Sequence, residues 1–239
     1  ALLNRRAKLA QEVGHVKNKS DAPIFRPDRE AQVLRGIADR NPGPLGDAAL
    51  QTIFKEIMSA CRALEKKMIV AYLGPAGTFS EQAAYRGFGM SVDVLPCMSI
   101  DEVFRAVEAG TADFGVVPVE NSTEGAINRT LDLLMQTPLT ISSEVSIPVQ
   151  HNLMTQSGNM DGVHTICAHS QALAQCQGWL NQHFPNIPRQ AVSSNAEAAR
   201  MASEDGNVAA IAGEIASKRY GLQVVNAHIQ DEPQNRTRF

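Results

Sequence analysis

The stretch DFGVVPVENSTEGAINRTLDLL, Asp113–Leu134, decides how this chain is read. It opens as a short apolar run, Phe114 to Val119, of the kind that forms a buried parallel strand. Pro118 breaks the run, and Glu120, Asn121, Ser122 and Thr123 follow in a row. Ile127, Leu131 and Leu134 then recur at helical spacing, and Asn121 and Glu124 fit an N-cap pair. A cap needs only one polar side chain. Four in a row at a strand-to-helix turn point to a binding site. Ligands in open α/β sheets sit beyond this end of the strands, and the free amides of a helix start favour an anion.

The alternation of strand and helix runs through residues 68–239. The pattern predicts strands at Met68–Leu73, Val92–Leu95, Phe114–Val117, Thr140–Ile147, Val163–Ala168, Gln190–Val192, Val208–Ile211 and Val224–Val225. Helices fill most of the gaps, which implies parallel sheets with helices on their faces. The segment has the length of two small α/β lobes. The chain is expected to cross between them near Ser142–Pro148 and return near Ala227–Gln234.

The strand-to-helix turns repeat one design. LGPAGTFSEQ offers Thr78 and Glu81 as a capping box, with Gly74 and Gly77 letting backbone approach a ligand. Ser99 and Glu102, then Ser194 and Glu197, repeat the spacing. A further helix begins near Ser170, with Leu173, Cys176 and Leu180 on one face. Helix starts at Thr78, Asn121, Ser170 and Ser194 are expected to converge on one cleft, suited to a small ligand with more than one carboxylate. GPAGTFS is not a phosphate loop, because it lacks both the Gly-Lys-Ser/Thr ending and the GxGxxG spacing.

Residues 1–67 carry no strand signal. Leu2, Leu3, Leu9 and Val13 predict a first helix that starts uncapped, so the chain is expected to begin inside a helix. A turn follows at Asp21-Ala22-Pro23. Pro27-Asp28-Arg29-Glu30 opens a second helix, Asn41-Pro42-Gly43-Pro44 is a loop, and a third helix runs from about Asp47 to Glu65. Such an all-α unit needs a partner to bury its apolar faces. The charges Arg6, Lys17, Arg29, Glu30 and Glu65 come from different parts of it. From spacing alone they read as a solvated surface.

Composition sets outer limits. The chain has 239 residues, 44% of them hydrophobic, and a net charge of −3. That suits one large domain or two modest ones and gives no reason to expect nucleic acid or an acidic membrane as partner. No apolar run is long enough to span a membrane. Cys61, Cys97, Cys167 and Cys176 show no metal-ligand spacing and read as reduced core residues of a cytoplasmic protein.

Two resemblances sharpen this. NRRAKLAQEVGHVK, PIFRPDREAQVL and IFKEIMSACRALE resemble the helices of the all-helical chorismate mutase family. The resemblance implies a mutase domain at residues 1–67, with Arg6, Lys17, Arg29, Glu30 and Glu65 around chorismate. The family's first arginine would lie upstream of Ala1. YLGPAGTFSEQAA, VPVENSTEGAINRTLD, IPVQHNLM, HSQALAQC, SNAEAA, AAIAGEIASKRYGL and NRTRF are similar, in order, to the catalytic domain of the prephenate dehydratase family. That implies a dehydratase domain at residues 68–239, of two α/β lobes resembling type II periplasmic binding proteins. The pair resembles the bifunctional enzymes of phenylalanine biosynthesis. It implies a homodimer and no metal or organic cofactor; the family's phenylalanine-sensing domain is not among these 239 residues.

Carried over residue by residue, the catalytic roles fall on Thr237, Glu120, Asn121 and Gln175. Prephenate contacts fall on Gly77, Thr78, Ser122, Thr123, His169, Ser170, Ser194, Asn195, Arg238 and Phe239. Ala168 stands where most of the family has Ser. Loss of carbon dioxide and hydroxide from prephenate is driven by aromatisation, so the enzyme must mainly orient a dianion and assist the leaving hydroxyl. Thr237 is suited to donate a hydrogen bond to that oxygen, and Arg238 to grip a carboxylate. His151 and His169 stand at strand ends, where a histidine is more often structural than an acid. The competing class is a two-lobe ligand-binding or sensor module without catalysis, which lobe architecture alone does not exclude.

Overall fold

The computed structural model describes residues 1–17 and 25–239, with the side chains of residues 15–17 outside that description. The predicted turn at Asp21-Ala22-Pro23 and the side chain of Lys17 therefore lie outside the described residues.

The first unit is helical: α1 (Leu2–Lys17), α2 (Pro27–Ala38) and α3 (Asp47–Glu65). Pro27 occupies the first turn of α2, where its missing N–H costs nothing. Asn41 builds the loop before α3. Its Nδ2 donates to the Leu45 carbonyl and to Asp47, and its Oδ1 accepts from the Gly43 amide. Helix α3 is central, packing on both α1 and α2. Gly14 lets α1 come close, since a Cβ there would lie 2.7 Å from Glu65 Cγ.

The first α/β lobe follows: β1 (Ile69–Leu73), α4 (Phe79–Phe88), β2 (Asp93–Cys97), α5 (Ile100–Glu108) and β3 (Phe114–Val116). The sheet is parallel, in the order β2-β1-β3. Val70, Tyr72, Ala83, Phe88 and Val116 form its main core. Beyond β3 come β4 (Glu120–Asn121), β5 (Gly125–Ala126), α6 (Asn128–Gln136) and β6 (Ser146–Pro148).

The second lobe holds β7 (Asn152–Thr155), β8 (Thr165–His169), α7 (Ser170–Gln175), α8 (Gln177–His183), β9 (Arg189–Val192), α9 (Asn195–Glu204), β10 (Val208–Ala212), α10 (Glu214–Tyr220) and β11 (Gln223–Asn226). Its sheet order is β11-β7-β10-β8-β9. Alternate residues face opposite sides of a strand. Leu153, Ile166 and Ile211 meet α8 on one face, while Met154, Cys167 and Ala210 meet the alanine side of α9 on the other. Finally β12 (Arg236–Arg238) returns to the first lobe, where β5-β4-β12-β6 form a small antiparallel sheet.

Several expectations change here. The second sheet is mixed, because β7 runs antiparallel to both β10 and β11. The predicted strand Thr140–Ile147 shrinks to Ser146–Pro148, since only this part finds a ladder partner, in β12. β4, β5, β7 and β12 were not predicted; each is short, or polar enough to read as loop. The expected helix start at Asn121 is instead a β4–β5 hairpin, and α6 begins at Asn128. Asn121 Oδ1 still accepts from two amides, Thr123 N at 3.0 Å and Glu124 N at 3.1 Å, but these belong to the hairpin turn.

The crossings between lobes lie side by side. Val149 N donates to Asn235 O, Ile229 N to His151 O, and His151 N to Gln230 Oε1. His151 is buried there, 2.9 Å from Gln175 through Nε2 and edge-on to Phe79. Burial pushes its imidazole below the usual histidine range, against the opposing effect of the Gln175 hydrogen bond.

The helical unit docks on the first lobe through α3 and the turn after α4. Ser91 N donates to Ser59 Oγ and Met90 N to Glu56. Phe25 packs against both Phe88 and Phe114, with ring centroids 4.9 and 5.4 Å away. Gly89 makes the turn possible. Its φ is +80°, and a Cβ there would lie 2.4 Å from Ser59 Cβ.

Gly89→Ala should therefore destabilise the chain by about 3 kcal/mol, from backbone strain plus overlap. Urea midpoints measure this. Adding Ser59→Gly removes the overlap but not the strain and should recover part of the loss. His151 gives a pH signature. The unfolded chain protonates it near pH 6.5, the folded chain only at lower pH. Its contribution is full above about pH 6.5 and is lost as pH falls from there toward the folded value. The drop in urea midpoint between about pH 7.5 and about pH 5.5 should shrink in His151→Gln.

Candidate active sites

Strand β12 builds the first site. Paired with β4 and β6 on its two edges, it sets Thr237 opposite Asn121 and Ile147. Asn121 Nδ2 donates to Thr237 Oγ1 at 2.9 Å and to Asn235 Oδ1 at 3.0 Å. Ser122 Oγ donates to Asn235 Oδ1 and accepts from Arg236 N. Asn121 and Asn235 are both buried. The chemical consequence is direct. The amide fills an acceptor site of the Thr237 hydroxyl, which leaves the hydroxyl proton to point at something else. Asn235 was not predicted. It sits in the same NRTRF run, but nothing in the sequence marks it as buried.

Neighbours along the strands face the other way. Arg238 Nη2 lies 3.2 Å from Glu120, and Glu144 lies 4.0 Å from Arg238 Nε. Arg238 and Phe239 line a separate, largely apolar groove of about 460 Å³ along the free edge of β3. The expectation that Arg238 and Glu120 would join Thr237 is thus not met. Thr123 contributes its backbone amide to Asn121 and leaves its side chain exposed.

The second group faces a cleft of about 220 Å³ between the lobes. Gly77 and Thr78 line it from the first lobe, and His169, Ser194 and Asn195 from the second. Phe79, Ser193 and Gly213 complete it and were not predicted. Most of these polar groups are already oriented. Ser194 Oγ accepts from Glu197 N, and Asn195 Oδ1 from His169 N. Thr78 stands at the start of α4 but makes no cap bond; its hydroxyl donates to Leu73 O. The expected box does not form on the other side either: Glu81 accepts from Gly77 N at 2.6 Å, one residue before the cap. That carboxylate is fully buried, with Arg219 3.2 Å away.

Gln175 stands at the end of α7, joined to His151, which touches Phe79 of the cleft. The His151 contact leaves Gln175 Nε2 buried with no partner among the described residues. Ser170 opens α7 but does not line the cleft; the residue at its cap is His169, whose ring nitrogen accepts from Gln171 N. Of the expected helix starts, those at Thr78 and Ser194 share the cleft, α7 reaches it through its cap residue His169 and not through Ser170, and Asn121 does not line it.

The helical unit carries an open cavity of about 480 Å³. Arg6, Arg29, Glu30 and Glu65 line it; Arg6 and Arg29 are solvent-exposed, as spacing suggested, while Glu30 and Glu65 are half-buried. Lys17 lies outside the described side chains. Arg26 and Arg62 line it too and were not predicted. Arg62 is buried in α3 and ion-paired to Glu30. Burial pushes its guanidinium down to about 10, against the opposing charge of Glu65, so it stays protonated at neutral pH. The available signal was an arginine four residues after Met58 on the buried stripe of α3.

Comparison with known proteins bears on both sites. The family model described as "Prephenate dehydratase" matches residues 70–239, and the one described as "Chorismate mutase type II" matches residues 1–66. A bifunctional chorismate mutase/prephenate dehydratase of Neisseria gonorrhoeae is 49% identical over 241 residues, covering 100% of this chain and 66% of its own length. One of Stutzerimonas stutzeri is 49% identical over 244 residues, covering 100% of this chain and 67% of its own. The chain thus spans about two thirds of the length of these relatives. Among solved structures, a prephenate dehydratase of Arthrobacter aurescens in complex with L-Phe superposes with a TM-score of 0.66 at 34% identity, over 72% of this chain and 58% of that one. These relatives do not favour the reading as a ligand-binding module without catalysis. With a mutase-type helical unit ahead of a dehydratase-type pair of lobes, the chain belongs to the bifunctional chorismate mutase/prephenate dehydratase family.

Proposed function

We propose that residues 68–239 form a prephenate dehydratase domain and residues 1–67 a chorismate mutase domain, and that the chain converts chorismate to prephenate and prephenate to phenylpyruvate. The observation that carries the dehydratase reading is the Asn121–Thr237 hydrogen bond. In prephenate the ring carboxylate leaves as carbon dioxide, and its bonding pair enters the ring. The ring C–O pair departs with the hydroxyl, which takes up a proton and leaves as water. Thr237 is too weak an acid to lose its proton outright. Its hydroxyl donates to the leaving oxygen as charge builds there, and the proton consumed comes from solvent. The Gln175 amide and the turn amides beside Thr78 and Ser194 supply further donors for the dianion. The chemistry needs no metal or organic cofactor.

The mutase reading rests on the cavity that gathers Arg6, Arg29, Glu30 and Glu65. The rearrangement is pericyclic and needs no nucleophile. The cavity has to hold a compact dianion and meet charge growing on the ether oxygen. Arg6 and Arg29 suit the carboxylates, and Lys17 and Glu65 are assigned to the ether oxygen.

A homodimer is part of the proposal. Leu2, Leu3, Leu9 and Val13 leave an exposed apolar side on α1, as a helix does when it packs on a second copy. A cytoplasmic location is supported by the free cysteines, Cys97, Cys167 and Cys176 of them buried. Among the described residues, no helix is long and apolar enough to cross a membrane.

Thr237→Ala should lower kcat for prephenate by roughly 10²–10⁴-fold, the scale of a lost proton donor, with KM little changed. Phenylpyruvate absorbance in alkali follows the reaction. Near-normal turnover would overturn the role of Thr237, and tight prephenate binding without product in the unmodified chain would favour a binding module. Arg29→Ala should raise KM for chorismate roughly 10- to 100-fold, as expected for one lost charge-assisted contact, while leaving prephenate dehydration unchanged.

A further inference from the structure

Arg62 belongs to both halves of the molecule. It lies in the last turn of α3 and is 6% exposed. Nη1 donates to Glu30 on α2, and Nη2 donates to the backbone carbonyl of Phe88. The guanidinium also sits over the Phe25 ring, 4.8 Å from its centroid. Phe88 is the last residue of α4, so its carbonyl is one of the groups a helix end leaves unpaired, at the negative end of the dipole. A buried guanidinium is costly unless its donors are satisfied. Here one partner lines the mutase cavity and the other belongs to the dehydratase lobe.

We infer that Arg62 is a positioning residue for the mutase: it holds Glu30 in place and offsets its charge in a cavity meant for a dianion, and it is itself held by the end of α4. The inference rests on the mutase reading of that cavity. An unpaired Glu30 would repel the carboxylates of chorismate. Arg6, Arg26 and Arg29 share the cavity with Glu30, and Glu65 adds a second carboxylate from α3. None of these arginines reaches Phe88; Arg26 is drawn to Asp28 and Arg29 to Gln32. The planar fork of arginine meets both partners at once, which the point charge of lysine does not. The mutase cavity is therefore built partly on the dehydratase lobe.

The test is a double-mutant cycle on the full chain. Arg62→Leu should lower kcat/KM for chorismate by roughly 10²-fold, as when one partner of a buried charge pair is removed, while prephenate dehydration changes less than about threefold. In a Glu30→Gln background the same change should cost less than about threefold, because the carboxylate it served is gone. Arg62→Lys should recover part of the loss. Gly89→Ala, which disturbs the seat of Arg62 from the dehydratase side, should raise KM for chorismate in the wild-type background and not with Glu30→Gln. Should Arg62→Leu fail to fold, the cycle is run with Arg62→Lys. Equal costs in both backgrounds would mean that Arg62 touches chorismate or only braces the fold, and would overturn the proposal alone. A wild-type chain that neither binds nor converts chorismate would take down the mutase reading and the proposal with it.

Discussion

A three-residue strand with partners on both edges holds the dehydratase half together. β12 hydrogen-bonds to β4 on one side and β6 on the other, and all three are too short to persist alone. The chain has already left the first lobe, built the second, and come back by the time β12 forms. Because the return is pinned, Thr237 is pinned. Side chains alternate along a strand, so the register that puts Thr237 opposite Asn121 sends Arg236 and Arg238 to the other face. A slip of one residue would exchange them.

The buried amides then become intelligible. Asn121 accepts from two hairpin amides through Oδ1 and donates to Asn235 and Thr237 through Nδ2. Every polar valence of a buried side chain is used, which fixes its rotamer. The oxygen of Thr237 is held by a group that cannot itself turn away. His151 and Gln175 are paired at the crossing between lobes as well, but there His151 Nδ1 and Gln175 Nε2 stay buried without a partner among the described residues. Under the proposed dehydration, a rigid support behind a weak donor is what the chemistry requires, since the driving force comes from the substrate.

The helical unit is attached by more than a linker. Phe25 joins the core of the first lobe, Ser59 and Glu56 take amides from the turn after α4, and Arg62 reaches the end of that helix. Helix α4 begins at the interlobe cleft and ends at the mutase cavity wall, about 15 Å of helix. The apolar faces that a small all-α unit cannot bury by itself are thus partly covered by the lobe it precedes.

The sequence by itself determined the class of each element with strong periodicity. The parallel strands of the first lobe, the long helices and the caps at Ser99 and Ser194 follow from local pattern, because burial and capping act over a few residues. It also marked Thr237, Asn121 and the cavity charges, chiefly through resemblance, since spacing alone left those charges on a solvated surface. It did not show β4, β5 and β12: β5 is two residues paired only within a local hairpin, and β4 and β12 pair with each other from far apart along the chain. Nor did it separate Arg238 from Thr237, or show Asn235 and Arg62 as buried. Such residues look like ordinary surface polar groups until a distant carbonyl or carboxylate is brought against them. Only the tertiary structure decided which polar side chains meet, because a hydrogen bond across more than a hundred residues leaves no periodic trace in the sequence.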